Sequence, residues 1–136
     1  MSIWTHVAGV IRIDSFRFGN DVPDFDALVG KECLWDNNRT VWDEQAANPD
    51  KFLPMGSEGS LQKSVWVNPK ANHLAAYTVT IFGDLRSFSR PNEIVEWFKK
   101  KCNEIDKEFM IRQAVITVET EFIETITWTY EEEQEK

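Results

Sequence analysis

Hydrophobic and polar positions alternate at the start of the chain. One set is aliphatic and consists of Ile3, Val7, Ile11 and Ile13. The intervening set is mixed and includes Trp4, His6 and Arg12. A period of two with many β-branched residues is typical of a strand with one buried face. We therefore predict a strand from Ser2 to Asp14 whose aliphatic face contacts the core.

The pattern weakens after this strand. Asp24 is placed to cap a short helix that runs through about Val29 and stops at Gly30, where a positive φ is easily adopted. The segment 36–60 is polar and rich in proline, glycine and asparagine, and we predict a long irregular loop there. Loops of this length are often functional, so Trp42, Ser57 and Glu58 are candidate functional residues within it.

Alternation returns at residues 61–67, and a second apolar run covers Leu74 to Phe82. Between them, residues 68–72 form a turn that Pro69 initiates. Two strands joined by such a turn predict an antiparallel hairpin. The second strand is apolar on both faces, which favours a central place in the sheet.

The clearest helix in the chain begins at Pro91 and continues to about Ile105. Its apolar positions form one stripe, which consists of Ile94, Val95, Phe98, Cys102 and Ile105. Two further strands are predicted over residues 110–120 and 122–130, joined near Glu121 by a tight reversal or a bulge. The stripe predicts that one helix face packs on the sheet.

The order of these elements is β-α-β-β-α-β followed by an extra C-terminal strand. This order predicts an α+β ferredoxin-like sandwich, in which an antiparallel sheet carries its helices on one face. A different α+β roll is the alternative. We expect one domain over residues 1–130 and an acidic, flexible tail over residues 131–136.

Charge limits the possible partners. The net charge of the 136-residue chain is −8, of which the tail contributes −3, because it holds four acids and one base. Nucleic-acid binding requires Lys and Arg to displace counterions, so direct nucleic-acid binding is not expected. The sequence has no run of 18 apolar residues, so we predict no membrane span. We also find no signal-peptide pattern in its first residues. Cys33 and Cys102 are far apart and predict two buried free thiols, so we expect a cytoplasmic protein.

Candidate chemistry is sparse. The segment Gly56-Ser57-Glu58-Gly59 lacks the spacing of a phosphate-binding loop or a nucleophile elbow. We interpret it as the exit of the long loop. The alternative is a small anion nest formed by its backbone amides. His6 and His73 have no visible partner in the sequence. Glu119, Glu121 and Glu124 are expected at a solvated rim. We predict no catalytic residue, metal site or cofactor.

Tryptophan is the most informative residue type. Six tryptophans are many for this length. Alternation places three of them opposite the main aliphatic face, namely Trp4, Trp66 and Trp128. If helices cover one side of the sheet, these side chains form an exposed apolar patch on the other side, and such patches usually mark interfaces. Trp4, His6, Trp66 and Trp128 are therefore our candidate interface residues.

The phrases MSIWTHVAGVIRID, GSEGSLQ and AAYTVTIFGDL resemble small bacterial and prophage-encoded proteins, and the likeness runs along most of the chain. The resemblance implies a bacterial or phage setting and brings no activity, cofactor or catalytic residue. The leading hypothesis is a non-enzymatic protein that binds a protein partner or a second copy through its aromatic sheet face.

Two other hypotheses remain open. One is a small-molecule enzyme or binder with a pocket between helices and sheet, where His6 or His73 works with an acid. The other is an acidic decoy that occupies a nucleic-acid-binding partner.

Overall fold

The structure, a computed structural model, describes residues 2–15, 23–33, 39–67 and 75–130. Its strands are β1 (Trp4–Ser15), β2 (Met55–Gly56), β3 (Gly59–Ser60), β4 (Gln62–Val67), β5 (Ala75–Arg86), β6 (Met110–Thr120) and β7 (Ile126–Thr129). Five of them form one antiparallel sheet in the order β4-β5-β1-β6-β7, and β2 pairs with β3 alone. The predicted α+β class with an antiparallel sheet is confirmed.

The first two helices follow β1 and precede β2 along the chain. Helix α1 (Phe25–Leu28) is a single turn, and the carboxylate of Asp24 accepts the N–H groups of Asp26 and Ala27 as predicted. Gly30 follows it with φ of +137°. Helix α2 (Arg39–Ala47) and a 3₁₀ turn (Pro49–Lys51) lie where the sequence predicted an irregular loop, so that prediction was wrong for this segment.

Helix α3 (Pro91–Asp106) covers one face of the sheet. Pro91 occupies the first turn, where its missing N–H costs nothing. The predicted stripe is buried, and Phe98 at its centre is fully inaccessible. The Phe98 ring meets the Trp128 ring edge-on with 5.8 Å between centroids. Helix α1 contacts α3, so both helices lie on the same side of the sheet.

Strand β1 is the central strand, and its register fixes the core. Ile11 lies between Val79 of β5 and Ala114 of β6, and all three side chains are fully buried. The β1–β6 register shifts between Arg12 and Ile13, where β6 carries one extra residue, Arg112. The predicted aliphatic face of β1 therefore contacts the core, except that Ile3 is only half-buried.

Strands β5 and β7 differ in length from their predictions. Strand β5 continues to Arg86, because Gly83 with φ of +144° keeps the ladder and leaves room for the Leu61 side chain. Strand β7 starts only at Ile126, because the chain reverses over residues 121–123 and Phe122 adopts φ of +65°. The junction near Glu121 is thus a tight reversal.

Within these described ranges, no helix has the length and apolar character required to cross a membrane.

Candidate functional site

The sheet face opposite α3 is the candidate site, and we call it the open face. It carries the even-numbered side chains from Trp4 to Arg12 on β1, because the odd-numbered ones from Thr5 to Ile13 are buried on the helix side. The register places Phe82 beside Ala8 and Val115 beside Val10. None of the described helices covers this face, and its side chains are exposed or half-buried from His6 to Arg12.

The centre of the open face is apolar. Phe82 on β5 is 38% exposed. Trp66 on β4 is 58% exposed and lies next to this centre, in the row of Thr78 and Arg12. Ala8 is exposed, while Val10 and Val115 are half-buried. Threonines from β5, β6 and β7 fill the positions between them, so the central rows contain no charged side chain within the described strands. An uncovered surface of this kind is unusual in a monomer unless it is used for binding.

Charged side chains lie at the two ends of this apolar centre. Near one end, His6 stands between Asp84 of β5 and Glu119 of β6. The row beyond it pairs Trp4 with Arg86, whose guanidinium is already paired with Glu58. At the other end, Arg12 is exposed between Thr78 and Gln113. Among the described residues, Arg12 forms no ion pair. The open face thus has an acidic end and a basic end.

His6 is bound to its acidic neighbour. Its Nδ1 atom lies 2.6 Å from Oδ1 of Asp84, and the imidazole side chain is 43% exposed. The hydrogen bond to Asp84 raises the pKa of His6, and the charges of Asp84, Glu119 and Glu121 act in the same direction. Burial opposes this effect but is outweighed. The result is an imidazole that protonates more readily than a free histidine.

The structure separates the candidate interface residues. It places Trp4, His6 and Trp66 on the open face. Trp128 lies on the helix side instead, because it pairs with the buried Ile116 and packs on Phe98. The sequence prediction for Trp128 was wrong by one residue of register, which turns a strand side chain to the opposite face.

Of the three loop candidates, two lie in a hairpin turn and one lies in helix α2. Ser57 and Glu58 form the turn between β2 and β3. The N–H of Ser57 donates to the Arg86 carbonyl oxygen at 2.9 Å, and the Glu58 carboxylate pairs with the Arg86 guanidinium. One of the amides proposed for an anion nest is therefore occupied. Trp42 belongs to α2, but its side chain lies outside the described part of the chain.

Two clefts lie away from the open face. One has a volume of about 500 Å³ and is lined by Asp24, Lys31 and Lys51 among others. The second, of about 270 Å³, lies between α3 and the segment before β2, and its walls include Phe52, Phe88 and Trp97. His6 lines neither, so these clefts do not supply the pocket that the small-molecule hypothesis required of it. His73 lies outside the described residues.

Acidic and sulfur groups do not assemble into a metal site. Across residues 2–15, 23–33, 39–67 and 75–130, no three His, Cys, Asp or Glu side chains are grouped so as to hold a metal ion. Cys33 and Cys102 are both buried and neither is in a disulfide bond, as predicted. Glu119 and Glu124 are exposed and Glu121 is half-buried, and Glu121 accepts the N–H of Trp4 at 3.0 Å.

Sequence reasoning missed two contributors to the open face, namely Phe82 and Val115. The signal for Phe82 and Val115 was present, because each belongs to a strand whose other face is more continuously aliphatic. Alternation assigned Arg12 to the same face as Trp4 and His6, but its distance from Asp84 and Glu119 depends on pairing between distant strands.

Comparison with known proteins adds no function. The chain matches no protein-family model, no curated protein and no solved structure. The functional argument therefore rests on the geometry of the open face.

Proposed function

We propose that the protein is a non-enzymatic, self-associating α+β protein whose open face is buried against a second copy. The observation that carries the proposal is the uncovered apolar centre on the sheet face opposite the helices, where Phe82 is exposed and the exposed Trp66 lies beside it in the row of Arg12. Burying such surface is favourable at roughly 25 cal/mol per Å² of apolar area. Two sheets packed in this way would lie about 10 Å apart.

The open face is large enough for a stable contact. Four strand spacings of about 4.8 Å and six residue steps of about 3.3 Å, with side chains at the margins, give roughly 600 Å² per copy. The total of roughly 1,200 Å² lies at the lower end of the range for stable specific interfaces. The area supports a dimer of moderate affinity.

The charges favour one orientation of the second copy. A two-fold axis along the strands would bring the acidic end of one copy onto the acidic end of the other, with Asp84 facing Glu119. A two-fold axis across the strands instead places Arg12 opposite the row that contains Asp84, His6 and Glu119. These ends are about 20 Å apart within one chain, so Arg12 cannot satisfy the acids without a partner. We therefore propose antiparallel, face-to-face packing.

The order of the strands supports the ferredoxin-like arrangement predicted from the sequence, which we retain as a proposal. The connection from β1 to β4 passes over β5, and the connection through α3 from β5 to β6 passes over β1. Split crossovers of this kind are typical of ferredoxin-like sandwiches and support the ferredoxin-like arrangement that we propose, with a one-turn first helix and β7 added at one edge. We further propose a bacterial or phage protein of the cytoplasm, as the sequence resemblance implies.

The experiment is a charge swap read by sedimentation equilibrium at tens of micromolar protein. Wild type should be dimeric, and Arg12→Glu and Glu119→Arg should each weaken the dimer by about tenfold, because each places like charges face to face. The double variant should recover most of the loss. Glu96→Lys, on the exposed side of α3, is the matched control and should leave the dimer unchanged.

A second variant tests the apolar centre. Phe82→Asp should give a monomer, because it would bury an unpaired carboxylate in the contact. A wild-type chain that sediments as a monomer at these concentrations would refute the proposal, as would a Phe82→Asp dimer of unchanged affinity.

A further inference from the structure

Strand β7 has a free outer edge whose hydrogen-bonding groups can be assigned. The N–H of Tyr130 donates to the carbonyl oxygen of Ala114 at 2.8 Å, so this pair is hydrogen-bonded. In an antiparallel ladder the next pair does not exchange such bonds, which applies to Val115 with Thr129 and to Thr117 with Thr127. The backbone N–H and C=O groups of Thr127 and Thr129 therefore point away from β6, at the edge of the sheet.

The opposite edge of the sheet is protected, whereas none of the described residues protects this one. On β4, the N–H of Lys63 donates to a Glu32 carboxylate oxygen at 3.3 Å, and the lysine ammonium pairs with Asp26 while its side chain is only 8% exposed. An inward charge and a covering side chain are common means of preventing strand addition. The residues of β7, Ile126–Thr129, include no charge and no proline, and no described segment pairs with its outer side.

The turn before β7 adds an exposed apolar contact. Phe122 is 88% exposed and Ile123 is 45% exposed. Phe122 also holds φ of +65°, which is unfavourable for a bulky residue. An extended chain lying along β7 would reach these two side chains within a few residues.

The surrounding charges decide which chain fits. Glu121 and Glu124 precede β7, and Glu131, Glu132 and Glu133 follow Tyr130 directly in the sequence. A second copy of β7 would bring the same acids toward these, and like charges would repel. We infer that the outer edge of β7 binds an extended, basic segment of a partner protein, which adds a sixth strand through the backbone groups of Thr127 and Thr129.

The test uses a labelled peptide of alternating threonine and valine, flanked by two lysines at each end, with binding read by fluorescence anisotropy. Thr127→Pro removes an outward N–H without touching the β6–β7 ladder, whereas Thr127→Ala keeps the N–H and serves as the matched control. Wild type and Thr127→Ala should bind alike, and Thr127→Pro should bind about tenfold more weakly. A peptide with glutamates in place of the lysines should bind at least about tenfold more weakly than the basic one.

A second arm separates strand addition from simple charge attraction. The same basic peptide methylated at alternate backbone nitrogens keeps its charge but cannot pair along the edge. Equal binding of the methylated and unmethylated peptides to wild type would overturn the inference, and this result does not require any variant to fold. Binding to a correctly folded Thr127→Pro chain at wild-type affinity would also overturn it. The Arg12→Glu variant should still bind the peptide, because Arg12 is not part of the β7 edge. The inference about the β7 edge and the proposal about the open face can therefore be refuted independently.

Discussion

Replacing Gly56 with alanine tests how tightly the β2–β3 hairpin is seated on the sheet. A Cβ atom at this position would lie 2.6 Å from the Arg86 carbonyl oxygen and 2.8 Å from the Arg86 nitrogen. Both are backbone atoms of β5, so neither can move aside as a flexible side chain would. Gly56 is not among the glycines with positive φ, so the expected cost is steric and not conformational.

The magnitude follows from what must move. To restore an ordinary contact of 3.4 Å, the hairpin has to shift by about 0.8 Å from the 2.6 Å position. Overpacking of this kind typically costs about 1–3 kcal/mol. The shift also weakens the hydrogen bond from Ser57 N–H to the Arg86 oxygen, with a net value of about 1 kcal/mol. We expect Gly56→Ala to lower the free energy of unfolding by about 2–4 kcal/mol.

The assay is urea unfolding followed by tryptophan fluorescence. Ser57→Ala is the matched control, because its exposed side chain is lost while its N–H is kept, and it should change the stability by less than about 0.5 kcal/mol. A Gly56→Ala chain whose unfolding free energy lies within that same margin of wild type would refute the reasoning.

Two further predictions concern titration and thiol chemistry. The pKa of His6 is raised in the folded chain, so its protonation adds stability that is fully present below the unfolded-state pKa of 6.5 and is lost as pH rises through the folded-state pKa. Asp84→Asn should return the pKa of His6 toward 6.5, as followed by NMR titration of the imidazole. A titration curve unchanged by the substitution would contradict this. Burial raises the pKa of Cys102 to about 12, and the charge of Asp106 adds to the effect. Because the thiolate is the reactive form, the Cys102 thiol of the folded chain should react with a disulfide reagent at about pH 8 at least ~100-fold more slowly than the same thiol in the urea-unfolded chain. Rapid labelling of Cys102 in the folded chain, located by mass spectrometry, would count against that prediction.

Local periodicity was sufficient for several elements. Helix α3 was predicted because its apolar stripe repeats at the helical period and Pro91 marks its start. Strand β6 was predicted over its full length from its apolar and β-branched residues, although alternation is interrupted at Arg112 and Gln113 and is regular only from Ala114 to Thr120. In both cases the signal lies within the element itself, so no knowledge of distant partners was needed.

Other features depended on information that is not local. Helix α2 is only weakly amphipathic and is bounded by asparagines and a proline, so its turn-forming residues outweighed its helical pattern. The sheet face that Trp128 occupies is set by the chain reversal at residues 121–123. After this reversal the alternation changes phase between Ile123 and Ile126, so the face cannot be read from the sequence pattern alone.

The open face as a charged and apolar surface was predictable only in part. Trp4, His6 and Trp66 were assigned to it from alternation alone. Its acidic end requires Asp84 and Glu119 on either side of His6, at sequence separations of 78 and 113 residues. A pairing of that range cannot be read from residue types, so the polarity of the face became visible only with the register.

The central position of β1 has a consequence for synthesis of the chain. Its two neighbours are β5 and β6, so its backbone groups on the β6 side have no partner until residues near Thr120 have emerged from the ribosome. At about 5–20 residues per second, the roughly 100 residues between Ser15 and Thr120 take on the order of 5–20 seconds. Throughout that interval the backbone edge of β1 on the β6 side lacks its native partner. A nascent chain of this design has reason to depend on a chaperone at the ribosomal exit, even though the finished sheet is well packed.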